Sequence, residues 1–233
     1  MRTTTMQAKA LFALAAILAT AACSNVEQAR TPVVGRLSWF ALLEGRDIRE
    51  ACVAGAPARY RLVYNGDYED QTRVYDLVRT AEGATLRTVV STANITLFSY
   101  GGGYKNPWRP ERESTATLDL DTYRALARAL EADGFGAPTR TDIAFPSWDY
   151  YWIVTACAEG KFHINGWRAA GSVAPTLAFP ALLLMHDKTE IPFAAPPENA
   201  YAAYRDRVRE AGGDRTFEVR LAPNGIVGPS SLY

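Results

Sequence analysis

The sequence predicts an α+β fold, a mostly antiparallel sheet packed by two amphipathic helices. Three observations carry this expectation. Period-2 alternation bounded by turn residues occupies residues 59–90 and recurs at 150–165. Helical spacing of apolar residues marks 121–133 and 197–211. Strands and helices do not alternate strictly, as a parallel sheet with crossover helices would require.

The first strand group comprises residues 59–64, 73–78 and 86–90, separated by Asn65-Gly66 and Glu82-Gly83. Its β-branched and aromatic content and turn residues predict an antiparallel meander. Tyr60, Leu62 and Tyr64 share one face and Arg59, Arg61 and Val63 the other, so one face is expected in the core and the other in water. Tyr123, Leu126, Ala127 and Leu130 line one side of the first helix. Asp119 or Asp121 can cap its start, and Gly134 suits a left-handed exit. A second hairpin joins residues 150–157 to 161–165 through Glu159-Gly160. Pro197 fits the first turn of the second helix, where Tyr201, Tyr204 and Val208 form a stripe. Residues 217–221 resemble a closing strand. The apolar stretch 175–185, interrupted at Pro180, gives no clear element.

The 233 residues, 48% hydrophobic and 21% charged, suit a foldable globular chain and exclude disordered, collagen-like and coiled-coil classes. Twenty-five basic residues match twenty-five acidic ones, which leaves no electrostatic footprint for nucleic acid. Neither an internal repeat nor a long linker divides the chain. The expected organisation is a signal segment at 1–22, a lipidated tether at 23–32 and one globular α+β domain at 33–233.

The leader carries Arg2 and Lys9, then an apolar run from Leu11 to Ala22 that ends in small residues before Cys23. A basic start, a run of roughly 12 apolar residues and small residues at the exit mark a secretory signal, too short to span a bilayer. At Cys23 the segment resembles a bacterial envelope lipoprotein signal, with Leu18 nearby and Thr20 where such signals usually carry Leu. The resemblance covers residues 1–23 alone. It implies acylation of Cys23 by a palmitate-type lipid, with the chain tethered to the membrane. Ser24, rather than Asp, implies the outer membrane, facing the periplasm. The alternative is ordinary cleavage after Ala21 or Ala22, which would release a soluble periplasmic or secreted protein. Removing residues 1–22 leaves 23 basic against 25 acidic residues, a net charge of −2, so membrane contact would run through the lipid.

With Cys23 acylated, Cys52 and Cys157 remain as an even pair in an oxidising compartment. Their bridging would contribute on the order of 4–5 kcal/mol in the chain-entropy model. The competing reading is two separate buried thiols.

Catalytic signatures are mostly missing. The two histidines, His163 and His186, form no His-Glu-x-x-His, and no Cys-x-x-Cys or Gly-x-Ser-x-Gly occurs. Gly101-Gly102-Gly103 lacks the downstream Gly-Lys-Ser/Thr of a phosphate loop. No catalytic residue, metal site or cofactor is assigned. His163 could act as a general base, although a hydrogen-bonded sheet histidine explains it as well. Asp142, Asp149 and Glu159 supply carboxylates, but sequence cannot space two of them for glycoside cleavage.

The distinctive feature is where the tryptophans sit. Four of five fall in the stretches 98–110, 145–152 and 165–167. A two-residue turn at Glu159-Gly160 pairs Cys157 with Phe162, Ile153 with Gly166, Trp152 with Trp167 and Val154 with Asn165. Trp152, His163, Asn165 and Trp167 then share a face. With Trp108, Arg109 and Trp148 they form a candidate ligand-binding set, an aromatic platform beside amides and charge suited to a glycan ring. The competing reading places these rings in the core. The functional expectation is a non-catalytic, membrane-tethered envelope accessory or binding protein with glycan as candidate ligand. The alternatives are a hydrolase of envelope polysaccharide or peptide, and a structural partner of an envelope protein.

Overall fold

A computed structural model describes residues 39–68, 70–92, 112–168, 176–211 and 216–227. The leader, Cys23 and the tether lie outside these residues, as do the glycine triplet, Trp108 and Arg109. Helical residues 39–44 lead into α1 (Arg46–Glu50), then β1 (Arg59–Gly66), β2 (Gln71–Arg79), β3 (Gly83–Ser91) and β4 (Arg112–Asp119). Next come α2 (Leu120–Ala132), β5 (Ala144–Pro146), β6 (Tyr150–Ala158) and β7 (Lys161–Arg168). The chain continues through α3 (Phe179–His186), α4 (Ala200–Ala211), β8 (Glu218–Ala222) and β9 (Gly225–Val227). The fold is α+β, as expected. A six-stranded antiparallel sheet runs β4-β3-β2-β1-β6-β7, and a small second sheet runs β5-β8-β9.

The meander and the second hairpin join through β1 and β6, where Leu62 opposes Val154 and Tyr64 opposes Trp152. One face of this sheet carries Tyr60, Leu62, Tyr64, Trp152, Val154 and Trp167 beneath Leu126 and Leu130 of α2 and Phe179 and Leu183 of α3. The other face carries Val63, Ile153 and Ile164 beneath Trp39, Phe40 and Leu43 and the small-sheet residues Phe145, Val219 and Leu221. The expectation of one wet face therefore holds for the outer strands and fails at the centre. On β3 and β4, Arg87, Thr115 and Thr117 are exposed, whereas every β1 residue after Arg59 is buried.

Arg61 is consequently buried, and ion pairing compensates its charge. Its Nη1 and Nη2 donate to both Asp47 oxygens at 2.7 and 2.9 Å, and its Nε donates to Asp76 Oδ1 at 3.1 Å. Asp47 belongs to α1, which the Cys52–Cys157 disulfide ties to β6 across 105 residues. The even cysteine pair is thus a bridge.

Asp119 caps α2 by accepting from the Thr122 N–H at 2.7 Å, and Gly134 follows the helix with φ 86°. Glu159 and Gly160 both adopt positive φ, 52° and 71°, as a two-residue hairpin turn requires. Two boundaries shift. Asn65-Gly66 continues β1 instead of turning, and the chain reverses beyond it, before β2 begins at Gln71. The buried Asn65 side chain donates to the carbonyls of Ser147 at 2.9 Å and Asp149 at 2.6 Å, a long-range pull that overrides the local turn preference. Pro197 precedes α4, and Asn199 caps that helix through the Ala202 N–H at 2.9 Å. Pro180, read as an interruption, sits in the first turn of α3, where its missing N–H is harmless.

Between α3 and α4 the chain is strapped to the sheet by a buried polar cluster. Arg73 Nη1 donates to Asp187 Oδ2 at 2.5 Å, and its Nη2 donates to the carbonyls of Ile191 and Pro192 at 2.6 and 2.8 Å. Tyr75 also donates to Asp187 Oδ2, at 2.8 Å, while Thr189 donates to Oδ1 through its N–H and hydroxyl. Phe193 then stacks with Trp152 and beneath the Arg73 guanidinium.

Candidate binding site around Trp148

The turn between β5 and β6, Ser147-Trp148-Asp149, is held by its backbone from the inside. The Ser147 carbonyl accepts from the Tyr68 N–H at 2.8 Å, and the Ser147 N–H donates to the Phe217 carbonyl at 2.8 Å. With Asn65 engaging the carbonyls on either side, the middle residue is turned outward, and Trp148 is half-buried while its neighbours are buried. Asp149 remains beneath it, its side chain 2% exposed. Its Oδ1 accepts from the Tyr150 N–H at 2.7 Å, and its Oδ2 pairs with Arg168 Nε. Arg168 also donates from Nη1 to the Ala144 carbonyl, which sets its guanidinium 5.6 Å from the Trp148 ring centroid.

Helix α4 supplies the remaining rings. Tyr204 stacks on Trp148 with centroids 4.7 Å apart, and Tyr201 lies 5.6 Å from Trp148 at a tilt. Among the described residues Tyr201 is the only exposed aromatic, at 55%. Arg205 lies one helical turn on, 6.0 Å from the Tyr201 centroid. The result is a three-ring cluster flanked by two guanidinium groups, a combination that can stack on a ring and donate to its oxygens.

The hairpin register is the expected one: Trp152 opposes Trp167, Val154 opposes Asn165, Ile153 opposes Gly166 and Cys157 opposes Phe162. The shared face, however, points into the core. Trp152 is 5% exposed and packs against Tyr64, Phe179 and Phe193. Trp167 is 3% exposed, and its Nε1 donates to the Asp133 carbonyl at 2.8 Å. Asn165 Nδ2 donates to the Ala137 and Phe135 carbonyls, and its Oδ1 accepts from the Gly166 and Arg140 N–H groups. These three residues do not form an exposed platform, because α2, α3 and the loop after α2 cover their face of the sheet. His163 is partly buried, edge-on to Phe135, with Nε2 donating to the Phe135 carbonyl at 2.7 Å. Of the five candidate residues that are described, Trp148 alone joins the exposed cluster; Trp108 and Arg109 lie outside the described residues.

The carboxylates considered for hydrolysis occupy different settings. Asp149 has both oxygens engaged, Asp142 is exposed, and Glu159 stands in the hairpin turn. Among the described residues no group of three or more His, Cys, Asp or Glu is placed to hold a metal ion. Sequence reasoning missed Arg168, Tyr201, Tyr204 and Arg205 as site residues. The tyrosines stood out only as a helical stripe, and nothing local indicates that they meet Trp148. No family model, curated protein or solved structure matches the chain.

Proposed function

We propose that this chain is a non-catalytic envelope protein, tethered to the outer membrane through acylated Cys23, that binds a ring ligand of the glycan class at the Trp148 cluster. The observation that carries the binding reading is the cluster itself: Trp148, Tyr201 and Tyr204 gathered at the surface with Arg168 and Arg205 beside them. Pyranose rings stack their apolar faces on such aromatics, and guanidinium groups donate to their hydroxyl or carboxylate oxygens. The engagement of His163 by Phe135 and of Asp149 by Arg168 and Tyr150 supports a structural rather than catalytic role for both.

The tethering reading draws on the leader together with the disulfide, since bridges persist in oxidising compartments. No described helix is long and apolar enough to cross a membrane. Calorimetric titration of the mature protein with chitohexaose and with soluble peptidoglycan fragments tests the binding. At least one is expected to bind in a manner weakened roughly tenfold or more by Trp148→Ala, on the scale of one lost stacking contact. Binding unaffected by Trp148→Ala, or no binding of either probe, would remove the cluster as the site.

A further inference from the structure

Two groups of the chain lie against the Trp148 ring. The Arg168 guanidinium is 5.6 Å from its centroid, fixed by the buried Asp149 and by the Ala144 carbonyl. Tyr204 stacks on the ring, nearly parallel at 17°. These two neighbours are anchored very differently. Arg168 belongs to β7 and is locked into the main sheet. Tyr204 belongs to α4, in which no described side chain is buried.

A 12-residue helix has little stability of its own in water and relies on an apolar face packed elsewhere. The described contacts of α4 are few. Ala200 packs at the edge of the main core, Tyr201 and Tyr204 meet Trp148, and the ion pair Arg209–Asp206 lies within the helix. The segment before it, by contrast, is held down by Arg73 and Gln71 as far as Ala194. The chain is therefore anchored up to Ala194 and again at Phe217, whose N–H donates to Ser147 Oγ at 3.1 Å, and between them the described contacts of α4 include those of Ala200, Tyr201 and Tyr204.

We propose that α4 is a displaceable lid over Trp148 and that Tyr204 occupies the stacking place a ring ligand takes. This rests on the binding reading above and adds its regulation. With the lid down, Tyr204 completes the stack. With the lid up, the indole face that Tyr204 covers opens to solvent beside a fixed guanidinium. A ligand that needs the open form binds with its intrinsic affinity reduced by the fraction of molecules open, so loosening the lid strengthens binding.

The test uses the mature protein, its Tyr204→Ala variant and the same variant carrying Trp148→Phe. Tyr204 is only half-buried, on a helix in which no described side chain is fully buried, so its truncation is expected to leave the fold intact. In the wild type, backbone amides of 201–211 are expected to exchange with deuterium at least roughly hundredfold faster than those of α2. Tyr204→Ala is expected to raise acrylamide quenching of tryptophan emission, a rise that Trp148→Phe abolishes, and to tighten chitohexaose binding about threefold or more. Exchange in α4 as slow as in α2, or quenching unchanged by Tyr204→Ala, would overturn the lid. Fast exchange and raised quenching with no chitohexaose or peptidoglycan-fragment binding would support the lid and overturn the glycan reading.

Discussion

Tyr204 lies flat on Trp148, ring centroids 4.7 Å apart, and this contact joins α4 to the turn between β5 and β6. Its energetic weight should be local. Trp148→Ala is expected to change global stability by no more than about 1.5 kcal/mol, the scale of an aromatic pair outside a core. Trp152→Ala, which empties space among Tyr64, Phe179 and Phe193, is expected to cost about 3–5 kcal/mol. Urea unfolding of the two variants checks the contrast.

Arg73 and Asp187 hold the 187–194 strap against the sheet, with side chains 1% and 5% exposed. Removing either partner strands a buried charge. Arg73→Ala and Asp187→Ala are each expected to destabilise by about 3–5 kcal/mol, and the double variant by less than their sum. A double-mutant cycle from chemical denaturation measures the coupling.

Acid should loosen the same strap. Burial raises the Asp187 carboxyl, but hydrogen bonds from Thr189 and Tyr75 and the Arg73 charge outweigh it and hold it below the usual carboxylate value. Burial likewise opposes, and Arg61 and Arg59 outweigh, at Asp47, which is also held low. A carboxyl lowered in the folded state stabilises at pH above its unfolded value, near 4, and that contribution is lost as pH falls through the folded value. Stability measured from pH 7 downward is expected to fall below about pH 4. Asp187→Asn should start less stable and show a shallower acid slope.

The Cys52–Cys157 bridge fastens α1, and so Asp47, over the buried Arg61. Replacing both cysteines by serine is expected to cost about 2–5 kcal/mol, read as a lower melting temperature and urea midpoint. Reduction of the wild type should reproduce the loss.

Acylation makes its own prediction. Expressed with its leader in a Gram-negative host, the wild-type chain is expected in the detergent phase and Cys23→Ser in the aqueous phase, with the folded domain unaltered. Equal partitioning of the two would exclude lipid as the anchor.

Local chemistry made several elements legible. The two-residue Glu159-Gly160 turn sets the β6–β7 register, the Asp119 cap and Gly134 exit bound α2, and cysteine parity points to the bridge. Long-range pairing was not legible. Nothing near Asn65 announces that its amide will bind the carbonyls of Ser147 and Asp149, which draws Asn65-Gly66 into a strand. Alternation correctly sorts residues onto faces but cannot say what covers them. The hairpin register puts Trp152, Asn165 and Trp167 on one face, but whether that face meets solvent or core depends on α2 and α3, which close over it. The exposed cluster brings together Trp148, Arg168 and Tyr204 from distant parts of the chain, so tertiary packing creates it and no motif does.

The most direct test of ligand binding at Trp148 is a titration of the mature protein followed through its indole N–H signals by two-dimensional NMR, with Trp148→Phe assigning that signal. On addition of chitohexaose or soluble peptidoglycan fragments, the Trp148 indole is expected to shift saturably while those of the buried Trp152 and Trp167 stay in place. Saturable shifts of the buried indoles with Trp148 unmoved, or no shift with either probe, would contradict the account.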